Sequence, residues 1–457
     1  MNITEKLKQL GYSTVPEEFY RKVQEWKSWY VGDVKGFHRY KVRNGTSMVK
    51  CKRFTLNMGK KIPEDWANLL MNEKVEITIE GQREQEFVDH VLKENNFLVK
   101  SNEMQEKAFA LGTVAFIPRV VGMKATEEGP VPGSADGIVM DYVTVEHIWP
   151  LAWQNGIITE CAFDSIVTVN GEDYCYLQIH HKVDGLYDIE NRIYHYRNNN
   201  VDAELDLSDV KGFELVPPVV HTGSDQRQFV IDRPNIANNF DNSPLGISVY
   251  ANAIDVLKGV DVAYDSYVNE FVLGKKRIMV KPSATKDLDG EPFFDPDDLA
   301  YYVLPEDVSD GAVITPIDMN LLSSKCGFGE NHYRFDQGSI TTATQVISEN
   351  STMFRTIKKH EIILEQAITE LCHIILRLGN AAMNAGLDEE AKVTIDFDDS
   401  IIEDKTTERN NDRQDLAAGI MNDWEYRMKW YNEDEATAKK MLPNMENMTD
   451  EEEEEIE

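Results

Sequence analysis

Apolar positions recur at helical spacing after Pro16, where Phe19, Val23, Trp26, Trp29 and Tyr30 return every three or four residues. A second helix is predicted from Ile62, with Pro63, Glu64 and Asp65 in its first turn ahead of Trp66, Leu69 and Leu70. Residues 75–79 alternate as a short strand, and further helices are expected over 83–95 and 102–111, the last closed by Gly112. From 138 to 197 the period falls to two. Asn155-Gly156, Asn170-Gly171 and Asp184-Gly185 separate β-branched and aromatic runs such as Ile166-Val167-Thr168-Val169. Asx-Gly suits the type I′ hairpin turn, because both central residues need positive φ. The segment reads as an antiparallel meander.

Ser243-Pro244 then opens a Pro-free helical pattern over 245–273, a rod of roughly 44 Å, stopped by Gly274. Lys275, Lys276 and Arg277 follow at its negative dipole end. A small insert is expected over 275–316, with strands at 277–280 and 301–304 and a turn at Asp289-Gly290. Phe293 and Phe294 stand between Pro292 and Pro296, either as anchors for a partner or as the core of the insert. A glycine-bearing loop leads to the capping box Thr342-Ala343-Thr344-Gln345 and a Pro-free pattern reaching Ala385, about 66 Å of helix. Gly379 is read as a bend and Gly386 as the C-cap. A strand at 392–397 and helices near 404–418, 423–430 and 434–442 complete an α+β chain.

Composition narrows the function classes. The 457 residues carry 80 acidic against 47 basic side chains, a net charge of −33. Residues 388–457 hold 24 of those acids and 8 bases, ending in the run 450–455, which reads as a solvated tail. Tight duplex binding draws its affinity from cations that displace counterions, so this balance opposes it. No apolar run approaches the roughly 18–20 residues of a membrane span, and the N-terminus lacks the apolar core of a signal peptide. Cys51, Cys161, Cys175, Cys326 and Cys372 are odd in number and widely spaced, which favours free thiols over a disulfide framework or zinc ribbon.

Catalytic signatures are missing. The chain has no G-x-x-x-x-G-K-[ST], H-E-x-x-H or G-x-S-x-G, and Gly327-Phe328-Gly329 lacks the third glycine of a dinucleotide loop. His180 and His181 are neighbours on a predicted strand and point to opposite faces, one expected in the core and one on the surface. Asp396, Asp398 and Asp399 form the best candidate for a two-metal nuclease site, although a strand that ends in acids before a turn needs no metal. No cofactor is implied.

Three separated stretches carry a resemblance. Residues 64–74, beginning Glu64-Asp65-Trp66-Ala67-Asn68-Leu69-Leu70, resemble the W-A-x-L-x-x-N-E helix of the portal proteins of tailed bacteriophages. The run Gly338-Ser339-Ile340-Thr341-Thr342-Ala343-Thr344-Gln345 resembles the start of their long helix, and Phe397-Asp398-Asp399-Ser400-Ile401 with Ala418-Gly419-Ile420 resembles a later stretch. The likeness runs from about 15 to 445.

That resemblance implies a wing over 1–241, a stem helix over 242–274, a clip over 275–317, a stem return and tunnel loop over 318–340, a long wing helix over 341–390, and a crown with acidic tail over 391–457. The interval 318–326 is about half of what a second stem helix wants. The resemblance further implies a ring of about twelve copies at one capsid vertex of the virion, assembled in the host cytoplasm. Its implied partners are the terminase large subunit, the head–tail adaptor, the major capsid and scaffold proteins, and double-stranded DNA passing through the channel; no membrane is involved. Glu330, Asn331, His332 and Arg334 would face the channel, and Phe293, Phe294 and Tyr301 would dock a partner on the clip. A metal-dependent nuclease and a capsid adaptor without a channel are the competing readings.

Overall fold

In the computed structural model the chain begins with α1 (Ile3–Gln9), whose capping box joins Asn2 and Glu5, and α2 (Glu17–Val31), which ends at Gly32 in the left-handed region. Phe19, Val23, Trp26 and Trp29, the positions that the helical period selects, are all buried. The structure describes residues 2–44, 47–122, 125–126, 129–130, 133–198, 200–274, 316–329, 332–333, 343–397, 405–431 and 434–441. The expectations for the 275–315 insert, with Phe293, Phe294 and Tyr301, and for Glu330, Asn331, Arg334, Asp398 and Asp399 lie outside the described residues. The chain divides into two units, residues 1–337 with 351–397, and residues 338–350 with 398–457.

In the first unit, β1 (Arg39–Asn44) and β2 (Ser47–Lys52) form an antiparallel ribbon. Next come α3 (Met58–Leu70), β3 (Glu76–Ile79), α4 (Gln82–Glu94), α5 (Phe97–Leu111) and β4 (Val114–Val121). The minimal pair β5 (Ala125–Thr126) and β6 (Gly129–Pro130) precedes β7 (Gly137–Thr144). Two expected helix starts move. α3 begins a turn before Pro63, because Lys60 and Lys61 N–H already bond the carbonyl of Asn57 and Met58 enters the core. α5 begins at Phe97 rather than near 102, following Asn96 at positive φ, and Phe97 is buried.

The meander follows the Asx-Gly reading. β8 (Ile148–Gln154), β9 (Ile157–Val169), β10 (Glu172–Val183), β11 (Leu186–Arg197) and β12 (Asn200–Leu205) pair in chain order, with β13 (Val219–His221) added to β11. Asn155, Asn170 and Asp184 have φ of 51°, 54° and 51°, and the glycine after each is also positive. Val169 therefore pairs with Glu172, and Val183 with Leu186, across two-residue loops. Alternation does separate His180 from His181, but neither reaches the surface. Leu7 of α1 packs with Cys175, Leu177 and Ile179 on one face, while Leu207 and Val210 close over Ile193 on the sheet. His181 hydrogen-bonds Tyr12 (2.9 Å), and His180 lies edge-on between Phe163 and Phe229. All five cysteines are free.

β14 (Val230–Asp232) pairs with β4, which also pairs with β7. The helix α6 (Ile254–Gly274) starts nine residues later than the pattern at 245 predicts. Instead, Gly246 N–H bonds Thr113 Oγ1 (2.9 Å) and Val249 N–H bonds the Phe109 carbonyl (2.9 Å). Gly112 and Gly246 make this approach possible, since a Cβ on either would come within 2.3 Å of the other's carbonyl oxygen. Tertiary bonds to the end of α5 thus replace the first helical turns. α7 (Pro316–Lys325) occupies the short return.

α8 (Ala343–Met383) is 41 residues long, close to the predicted span. Its end is turned by Asn384 at positive φ rather than by Gly386, with Ala385 N–H bonded to the Gly379 carbonyl. Gly379 itself faces Phe87, whose ring would stand 2.6 Å from an added Cβ, so this glycine permits close packing with α4. β15 (Val393–Asp396) pairs antiparallel with β3. In the second unit, α9 (Lys405–Ala417), α10 (Asp423–Tyr431) and α11 (Glu435–Lys440) match the three expected helices. Asp412 of α9 accepts from Trp430 Nε1 (2.7 Å) and pairs with Lys429 (2.7 Å) of α10.

Candidate functional site

The loop that the resemblance assigns to a channel is bordered by residues 326–329 and 332–333. α7 buries Met319 and Leu322, then unwinds into buried Cys326 and Phe328 around Gly327 at φ +88°. A Cβ on Gly327 would sit 2.9 Å from Thr356 Cγ2 and 3.2 Å from Trp66 Cζ2. Trp66 is fully buried, and its Nε1 donates to the Cys326 carbonyl at 3.0 Å. Burial pushes the Cys326 thiol up to about 12, which keeps it protonated and unreactive.

Four rings continue from that bond as a pile. Phe109 stacks on Trp66 (5.4 Å between centroids), Trp66 on Phe328 (4.6 Å), and Phe328 on His332 (4.2 Å). His360 of α8 closes the side, edge-on to Trp66 and Phe109 at 5.0 and 4.9 Å. Its Nδ1 accepts the Asn235 N–H (3.0 Å), so Nδ1 carries no proton, and burial holds its pKa down at about 3. Each favourable ring pair is worth about 0.5–1.5 kcal/mol beyond the area it buries. Tyr333 adds a polar tie by donating to Asp65 Oδ2 (2.8 Å), while Lys61 pairs with the other oxygen of that carboxylate (2.5 Å). The resulting node joins α3, α5, α7 and α8 at the point where the loop departs.

His332 is the only proposed channel residue among the described residues. Desolvation lowers its pKa, so it is neutral at pH 7 and offers hydrogen bonds rather than a cation. Trp66, Phe109, Phe328 and His360 went unassigned by the sequence reading. Their one signal was the motif around Trp66; nothing in the residue order announces a stack between positions 66, 109, 328 and 360.

A second node fixes α6. Asp261 accepts from His38 Nε2 and Leu56 N–H, both at 2.8 Å, and one turn later Asp265 accepts from Phe54 N–H at 2.8 Å. His38 Nδ1 accepts from Val34 N–H (2.8 Å), so the Nε2 proton points to Asp261. Lys325 at the end of α7 donates to the Asn252 carbonyl just ahead of α6 (3.3 Å).

Asp396, from the candidate metal cluster, stands on β15 directly across from Glu76 on β3. Among the described residues no group of three His, Cys, Asp or Glu is placed to hold a metal ion, and no helix is long and apolar enough to cross a membrane.

Against known families, a model described as phage portal protein, SPP1 Gp6-like, matches residues 13–131 and 184–457. The unmatched interval 132–183 contains β7 to β10. No curated protein matches the chain.

Proposed function

Because the chain belongs to the SPP1 Gp6-like family of phage portal proteins, and so serves as a structural capsid portal, we propose that it closes into a ring of about twelve copies that conducts the genome in during packaging and out during ejection. Most of the chain falls within the family match, on both sides of the 275–315 interval, and this observation carries the reading. The proposal places the ring at the unique capsid vertex. It assigns docking of the terminase large subunit and head–tail adaptor to Phe293, Phe294 and Tyr301, and transient DNA contact to Glu330, Asn331, His332 and Arg334.

Support for the loop assignment comes from its root. The Trp66 stack and the Asp65–Tyr333 bond fix Phe328, His332 and Tyr333 against α3, next to the residues assigned to the loop. A net charge of −33 per copy fits a conduit that must not grip phosphate along its length. Native mass and negative-stain images of the purified chain test the ring. A closed particle of about a dozen copies is expected, and a stable monomer at micromolar concentration in mild salt would defeat the reading.

A further inference from the structure

Residues 34–63 contain nine Lys and Arg and no Asp or Glu, although the chain as a whole carries −33. The β1–β2 ribbon gathers them. Its register sets Arg39 opposite Lys52, Lys41 opposite Lys50, and Arg43 opposite Met48, and alternation puts all six side chains on one face. Like charges directly across a ladder repel, and a two-stranded ribbon is of marginal stability without support. Arg39 reaches Asp33 (2.5 Å), whereas Lys41, Lys50 and Lys52 have no ion pair among the described residues. The other face sets Val42 against Val49, 46% and 43% exposed. The ribbon's root is nevertheless firm, held by Asp261 and Asp265 through residues 54–56. A braced ribbon with self-repelling cations on one side and bare apolar side chains on the other is built to be covered.

We propose that its occupant is a second copy of the chain, met through the outward face of β3 and β15. That face is the electrostatic counterpart of the ribbon. Glu76 stands directly across from Asp396, Glu80 follows on the same side across from Lys392, and all four are exposed, so the face keeps an acidic excess of two while Ile79 and Ile395 turn inward. Joining the two relieves the Arg39–Lys52 and Lys41–Lys50 repulsions of the ribbon and the Glu76–Asp396 repulsion of the other ladder. Nucleic acid fits less well, since it would meet a body that, outside residues 34–63, is more acidic than the whole chain's charge implies. Because donor and acceptor patches differ, each copy offers one of each, and the contact repeats head to tail. This proposal rests on the ring reading above and assigns part of its subunit contact.

Two full-length variants test it, one with Lys41→Glu and Lys50→Glu, the other with Glu76→Lys and Asp396→Lys. Sedimentation at low and moderate salt is expected to show each alone dissociated relative to the parent, with association weakened about tenfold or more. After mixing, each variant's ribbon meets an opposite charge on the other, so particles of parental mass should return. Lys41→Gln with Lys50→Gln removes charge without reversing it, and should weaken association in the same direction even where a reversed chain fails to fold. Rings of parental mass in all three variants alone would overturn the contact while leaving the ring intact. A monomeric parent chain would overturn both. Unchanged rings combined with lost retention of duplex DNA would instead assign the ribbon to nucleic acid.

Discussion

Several buried polar side chains show how position governs charge. His180 has no hydrogen-bond partner at either ring nitrogen among the described residues, and burial beside Phe163 and Phe229 drives its pKa down to about 3. It is a neutral core ring. Asp232 poses the opposite case: it is 2% exposed, accepts from Gln105, and burial raises its pKa from 3.8 to about 6. A raised pKa means that the native state holds the proton more tightly than the unfolded chain. The stabilising contribution is therefore full below about pH 4 and is lost as pH rises through 6. Two pKa units correspond to about 3 kcal/mol of cost for the charged form. Asp232→Asn keeps an acceptor for Gln105 and removes the charge. The variant should melt higher than the parent at pH 8, by the equivalent of about 1–3 kcal/mol, and the gap should shrink by pH 5. Calorimetry at the two pH values checks the sign.

Between elements, stability concentrates where helices meet the loop root. Trp66 touches α5 through Phe109, α8 through His360 and the end of α7 through the Cys326 carbonyl. Trp66→Ala would open a cavity and leave that carbonyl without its donor, at a cost of about 3–5 kcal/mol, whereas Trp66→Phe retains most of the stack and should cost less. Denaturant titration should rank the parent above Phe and Phe above Ala. If Ala cost less than 1 kcal/mol, the node would not be the brace described here. The same scale explains the late start of α6. Residues 245–253 have helical periodicity, but their backbone bonds to Thr113 and Phe109 are tertiary and displace the local ones.

For the whole molecule, the acidic balance suits the proposed conduit, which has to stay assembled while DNA moves through it. If Glu330, Asn331, His332 and Arg334 line that path, Arg334 supplies their one fixed cation, because His332 is neutral at pH 7. Arg334→Ala should then leave rings and empty procapsids unchanged while lowering packaged or retained DNA, measured as genome content per particle. Full genome content in the mutant particles would put the loop outside the channel.

The hairpins were legible from sequence because Asn155-Gly156, Asn170-Gly171 and Asp184-Gly185 encode positive φ within two residues, whatever surrounds them. α2 and α8 were legible for a similar reason, since an unbroken helical period of apolar residues needs no distant partner to be read. The three motifs of the resemblance were also local, and they were enough to identify the family. Tertiary structure decided what depends on contacts far apart in the chain. It buried His181 by laying the N-terminal segment on the sheet, and it delayed α6 through a glycine-to-glycine approach. It also turned Trp66 from one residue of a motif into the brace of a loop some 260 positions away. A residue's φ is set by its own side chain and its immediate neighbours, whereas its burial and partners depend on which surfaces the folded chain brings together.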